Sequence, residues 1–111
     1  VDYTVPRIEA DWPGTRALAF GHLGDGNVHF HVLAPAGTNG AEWIQGEGKA
    51  ISRQVYDIVT DWHGSISAEH GIGQLKRDEL QRLGDPVALR MLRATKAALD
   101  PHGLLNPGKL V

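Results

Sequence analysis

Asp25-Gly26 sits between two runs of alternating side chains, and this arrangement restricts the chain more than any other feature. Both central residues of a two-residue type I′ loop need positive φ, and Asp-Gly is one of the few pairs that tolerate it. Upstream, residues 16–22 put Leu18, Phe20 and His22 on one face and Ala17, Ala19 and Gly21 on the other. Downstream, residues 28–33 set Val28, Phe30 and Val32 opposite His29, His31 and Leu33. Period-two alternation on both sides predicts an antiparallel hairpin. With Asp25 and Gly26 as the loop, Gly24 pairs with Asn27, Leu23 with Val28 and His22 with His29. Phe20 then faces His31, and Leu18 faces Leu33. Opposed side chains share a face with Cβ atoms roughly 4.5–5.5 Å apart. One face would run from apolar at its base to three imidazoles near its tip, and two imidazoles at that separation can reach one metal ion. The same pattern also fits a half-exposed strand with scattered histidines.

The rest of the chain reads as further short elements. Residues 1–5 alternate Val, Tyr and Val with Asp and Thr, and Pro6 ends them, which predicts a short strand. Trp12-Pro13-Gly14 marks a turn. After a Pro/Gly/Asn loop at 34–40, residues 41–62 carry a helical stripe of Ile44, Ile51, Val55, Ile58, Val59 and Trp62, with Gly46 and Gly48 weakening its first two turns. Residues 64–68 read as a short strand, and residues 74–83 as a charged helix anchored by Leu75, Leu80 and Leu83. Asp85 and Pro86 form an N-cap and first helical position. That helix runs through Val87, Met91, Leu92, Thr95 and Leu99 until Pro101 and Gly103 stop it. A tail follows, with a turn at Asn106-Pro107-Gly108.

A chain of 111 residues fits one domain with one modest core. With 41% apolar residues and a net charge of -2, disorder is disfavoured, and there is no basic footprint for nucleic acid. The absence of cysteine excludes a disulfide scaffold, a thiol nucleophile and Cys-based metal sites. No apolar run approaches the roughly 20 residues that span a bilayer. The N-terminus has neither the basic nor the apolar region of a signal peptide, and its lack of an initiator Met predicts an excised fragment or a processed chain.

A second cluster is Ser67-Ala68-Glu69-His70-Gly71-Ile72-Gly73. Adjacent residues of an extended strand point to opposite sides, so Glu69 and His70 could serve an ion and a substrate separately. The plainer alternative is an acidic residue near a helix N-terminus. Gly71-Ile72-Gly73 is too short for a phosphate loop, and no Gly-Lys-Ser/Thr follows. Ser65 and Ser67 lack the setting of a nucleophile elbow.

Three stretches together are distinctive: Gly21-His22-Leu23-Gly24-Asp25-Gly26-Asn27-Val28-His29; residues 64–73 with Lys76 and Arg77 after them; and Lys96-Ala97-Ala98-Leu99-Asp100-Pro101 through Leu105-Asn106-Pro107-Gly108-Lys109. In order and spacing they resemble the C-terminal domain of FAD-linked oxidases, the group of D-lactate dehydrogenases, D-2-hydroxyglutarate dehydrogenases and the FAD subunit of glycolate oxidase. The resemblance covers essentially the whole chain. It implies an α+β, ferredoxin-like cap domain, in which an antiparallel sheet with helices packed on one face is followed by C-terminal helices. It also implies a separate N-terminal domain of the vanillyl-alcohol-oxidase type that holds most of the FAD. In metal-dependent members the matching positions, here His22, His29 and Glu69, bind a divalent ion, and the matching His, here His70, resembles the catalytic base. Two features depart from the family. His31 stands where members often have Asn. Only about ten residues separate Pro6 from Arg16, where the family places a full helix.

The implied chemistry is oxidation of a 2-hydroxy acid to the 2-oxo acid. Zn or Mn would orient the substrate, His70 would take the hydroxyl proton, and the flavin would take the hydride. The 111-residue chain alone is then expected to bind no FAD and to be inactive. Asn106 and Lys109 are candidate contacts to the flavin domain; a solvated tail is the equal alternative. The implied partners are the chain's own FAD domain, a small 2-hydroxy acid, an electron acceptor the sequence leaves open, and a second copy of the chain. The implied location is cytoplasmic or peripheral to the inner membrane. A surface suited to the FAD domain is expected around the hairpin tip. From other classes, a stand-alone metal-binding or interaction module and a His2Glu metal hydrolase remain open.

Overall fold

The alternating runs do form a hairpin. The computed structural model describes residues 1–111, and in it β1 (Arg16–His22) pairs antiparallel with β2 (Asn27–Leu33). The register differs from the one expected: Phe20 lies opposite His29, Leu18 opposite His31, and His22 opposite Asn27. The connection has four residues rather than two. Leu23–Asp25 make a 3-10 turn and Gly26 closes it at φ +69°, its N–H donating to the Leu23 carbonyl at 3.1 Å. Asp25 stays out of the left-handed region, so one glycine does the work that a type I′ turn divides between two residues. The pairing therefore slips by two positions. A slip of two, unlike a slip of one, leaves every side chain on its original face.

Residues 1–5 are not a strand. Helix α1 spans Thr4–Asp11, and Pro6 falls in its first turn, where a backbone N–H has no intrahelical partner to lose. Five alternating residues also satisfy part of a helical stripe, and Val5, Ile8 and Trp12 supply the spacing of three and four that decides it. The short segment before β1 is thus itself a helix. Its Ile8 is fully buried, and the Glu9 carboxylate accepts the Ala17 N–H of β1 at 2.8 Å.

The long helix after β2 starts at Asn39, whose side chain accepts the Ala41 N–H. It comprises α2 (Gly40–Trp43), a π-helical turn over Ile44–Gly48, and α3 (Lys49–Asp61). Gly46 and Gly48 both fall in the π turn. Ile44 and Trp62, expected on the buried stripe, are exposed, and the Trp62 ring instead meets Tyr3 at 6.3 Å. Ile8, Ala17, Trp43 and Ile51 form the core, with Val5, Trp12, Phe30, Val32, Ala34 and Val55 packed against them. The helices therefore cover the Ala17/Phe30/Val32 face of the hairpin. The imidazoles lie on the other face.

The chain divides into two compact units, Val1–Gly64 and Ser65–Val111. In the second, residues 64–68 form no strand. Ser65 Oγ donates to the Ser67 carbonyl at 2.8 Å and accepts the Ser67 N–H at 3.2 Å, a local alternative to ladder hydrogen bonds. Helix α4 is Arg77–Leu83, shorter than expected, and Leu75 is fully exposed rather than an anchor. Helix α5 is Pro86–Leu99, capped by Asp85, whose Oδ1 accepts the N–H groups of Val87 and Ala88 at 2.8 Å each. Leu89 and Asp100 are the buried residues of this unit. The architecture is α+β, a two-stranded antiparallel sheet with helices, and no helix is long and apolar enough to cross a membrane.

Candidate functional site

The hairpin positions its histidines through pairing and stacking. Phe20 lies directly across from His29, with ring centroids 5.5 Å apart and planes at 26°. The same Phe20 ring meets His31, one pleat further along, at 5.2 Å and 18°. His22 and His29 are diagonal rather than opposed, yet their centroids are 6.4 Å apart in an edge-on arrangement. Diagonal neighbours on one face remain within reach when the side chains are aromatic. The expected direct His22–His29 pair is thus replaced by a diagonal pair steadied through Phe20. Phe20 was placed on this face by its alternation, but only the true register makes it the partner of His29.

Gly21 explains how His22 comes to stand beside β2. Its φ is +152°, and a Cβ there would lie 2.6 Å from the Asn27 carbonyl oxygen. Only glycine lets the strands approach so closely at this point. Phe20 and Leu33 on the imidazole face, and Leu23 at the tip, are exposed.

Glu69 and His70 belong to the other unit, in an irregular loop between Ser65 and α4. Because this loop is not extended strand, the alternation that would send the two side chains to opposite sides does not apply. The loop is held by side chains instead. Ser67 Oγ donates to the His70 carbonyl, and the Lys76 ammonium donates to the Ile66 carbonyl at 2.7 Å. His22, His29 and Glu69 each offer one ligand atom, an imidazole nitrogen or a carboxylate oxygen. Two imidazoles and a carboxylate suit a borderline divalent ion.

Asn106 and Lys109 lie in the tail, where the Lys109 N–H donates to the Asn106 carbonyl at 3.3 Å. They line a cavity of about 300 Å³ with Leu92, Thr95, Lys96 and Leu105. Asp100 shapes this region. It accepts from the Lys96 ammonium and from the N–H groups of Leu105 and Leu104, at 2.9 and 2.8 Å. The Lys96 hydrogen bond, then that of Leu105, draws the Asp100 carboxyl down to about 2. In the sequence Asp100 reads only as the residue before a helix-stopping proline; its role as a tail clamp has no local signature.

The family model "FAD linked oxidases, C-terminal domain" matches residues 6–110. Among curated proteins, a D-2-hydroxyglutarate dehydrogenase of Stutzerimonas stutzeri is 39% identical over 99 residues, covering 89% of this chain and 21% of the relative. A mitochondrial D-2-hydroxyglutarate dehydrogenase of Bos taurus is 42% identical over 94 residues, covering 85% and 16%. A D-lactate dehydrogenase of Anaerostipes hadrus is 40% identical over 106 residues, covering 92% and 20%. The chain thus spans about a fifth or less of the length of these relatives.

Proposed function

The chain belongs to the FAD-linked oxidase C-terminal domain family, and from that membership we propose that it is the substrate- and metal-binding part of a flavin-dependent dehydrogenase acting on a small 2-hydroxy acid. The observation that carries this reading is the His22–His29 pair, with ring centroids 6.4 Å apart on the face of the hairpin opposite the helices of its own unit. The relatives' names, D-2-hydroxyglutarate and D-lactate dehydrogenase, indicate the substrate class.

His22, His29 and Glu69 would hold a divalent ion, Zn or Mn. Their donor set fits such an ion, since imidazole nitrogens and a carboxylate oxygen are its ordinary protein ligands. When bound, the ion supplies Lewis acidity toward the substrate carboxylate and hydroxyl, and FAD supplies the hydride acceptor. His70 takes the hydroxyl proton. Imidazole is the side chain best matched to that task near neutral pH. Loss of that proton and of the Cα hydride turns the 2-hydroxy acid into the 2-oxo acid. Asn106 and Lys109, on the tail, would contact the part of the enzyme that carries the flavin.

Two variants of the full-length enzyme test the assignment. Glu69→Gln should lower metal affinity about 10–100-fold or more, taking outer-shell losses as a floor, with excess metal partly restoring turnover. His70→Ala should keep its metal and lose roughly 10²–10⁴ in kcat. Metal analysis and steady-state rates decide it. An empty site in His70→Ala, or full metal with no activity in Glu69→Gln, would overturn the roles.

A further inference from the structure

Lys76 follows the Glu69-His70 motif closely in sequence, and nothing in the proposed chemistry uses it. Residues 65–76 carry no helix or strand, so no regular ladder fixes Glu69 and His70. Lys76 is the residue from which α4 departs, and its carbonyl accepts the Leu80 N–H at 2.9 Å. Its own N–H donates to Ile72 at 3.4 Å. From this anchored position the half-buried side chain reaches back ten residues, and Nζ donates to the Ile66 carbonyl at 2.7 Å. On the near side of the loop, Ser65 and Ser67 bond to one another, and Ser67 Oγ donates to the His70 carbonyl. The two ends of the loop are therefore tied around Glu69 and His70.

We propose that Lys76 is a positioning residue: its ammonium closes the 65–76 loop onto the start of α4 and so sets where the Glu69 carboxylate and the His70 imidazole stand. This rests on the metal and base roles given above to Glu69 and His70. A charge-assisted hydrogen bond to a carbonyl is stronger than a neutral one, and a lysine stem can span this distance. The adjacent Arg77 is committed elsewhere, with Nη1 donating to the Gly108 carbonyl at 3.2 Å, so it cannot substitute for Lys76.

The test uses the full-length enzyme with Lys76→Met and Lys76→Arg. Backbone amide exchange, titration with Zn²⁺ or Mn²⁺, and steady-state kcat and KM are measured on each. Lys76→Met should speed exchange at residues 67–70 and leave residues 17–32 unchanged. It should weaken metal binding about tenfold, the lower end of what an outer-shell loss does. Saturating metal should not fully restore kcat, because His70 is displaced as well. Lys76→Arg, which keeps a cationic donor, should recover part of both effects, whereas a merely space-filling lysine would be replaced equally well by Met. Should Lys76→Met fail to fold, Lys76→Gln takes its place.

Unchanged exchange at 67–70 overturns the proposal. So does a loosened loop with unaltered metal affinity and kcat, when Glu69→Gln and His70→Ala run alongside do lower them. If those two variants lower neither, the metal and base reading has failed, and the exchange result by itself upholds or overturns the clasp.

Discussion

Val1–Gly64 gathers Ile8, Ala17, Trp43 and Ile51 into one apolar cluster, whereas Ser65–Val111 buries Leu89 and the charged Asp100. The first unit is held by packing between helices and hairpin. The second is held largely by side chains reaching backbone groups: Lys76 to Ile66, Arg77 to Gly108, and Asp100 to Leu104 and Leu105. Packing is cumulative and insensitive to pH, and a defect in it is felt throughout the cluster. A polar tie acts on one loop and depends on the ionisation of its members. The imidazole pair thus sits on a frame of the first kind, and the proposed base sits on one of the second.

The largest effect should come from the packed unit. Ile8→Ala empties a fully buried position and is expected to cost about 2–5 kcal/mol in denaturant unfolding. Leu89→Ala should cost clearly less, because few buried neighbours surround it. Equal losses would erase the contrast between the units.

Gly21→Ala comes next. Positive φ and contact with the Asn27 carbonyl should cost about 1–3 kcal/mol of strain. Relief would part the strand ends beside His22, so Zn²⁺ affinity should fall together with stability. A stable variant with unchanged affinity would show that this close approach does not set the His22–His29 separation.

The polar unit is probed by acid. Asp100 titrates near 3.8 when unfolded and at about 2 when folded, so its contribution is complete above the higher value and lost as pH falls through the lower. Below about pH 4, the amides of Leu104 and Leu105 should lose protection progressively on approach to pH 2, ahead of those in β1 and β2. Asp100→Asn should show this loosening already at neutral pH. A response equally strong in the hairpin would refute the division.

The smallest effect is a gain. His63 holds φ +57° at the end of α3, with its N–H donating to Thr60 and that of Gly64 to Val59, both at 2.8 Å. His63→Gly should stabilise the first unit by about 1 kcal/mol in thermal unfolding, since a left-handed conformation strains a residue with a Cβ.

Much of this was legible in the residues. Residues 16–22 form β1 as their alternation requires, and Asp85-Pro86 starts α5, because a capping carboxylate and a fixed φ act within a few positions. The hairpin's register was not legible, since Leu23-Gly24-Asp25-Gly26 supports a loop of two or of four and only tertiary packing selects between them. Residues 1–5 alternate like a strand yet start a helix, because the partners of Val5 that make a helix worthwhile lie beyond Pro6. Residues 64–68 have the composition of a strand but form none, because a serine pair satisfies the backbone without a neighbouring strand. Of the candidate site, the face shared by His22 and His29 followed from parity alone. The ties of Lys76 and Asp100 depend on where distant carbonyls and amides fall, which no local pattern encodes.

The π turn over Ile44–Gly48 has a consequence for angular phase. An α-helix advances about 100° per residue, so Trp43 and Ile51 would point about 80° apart on an unbroken cylinder. One surplus residue taken up in a wider turn brings them to within about 20° of each other, which is how both reach a single core. The extra residue works as a phase shifter. It also throws Ile44 out of the apolar stripe that sequence spacing assigned to it. Deleting Gly46 would therefore remove the surplus residue and let the wide turn close to ordinary α-helix: Trp43 and Ile51, then seven positions apart, would stay within about 20° of each other, and the indole would keep its place in the core.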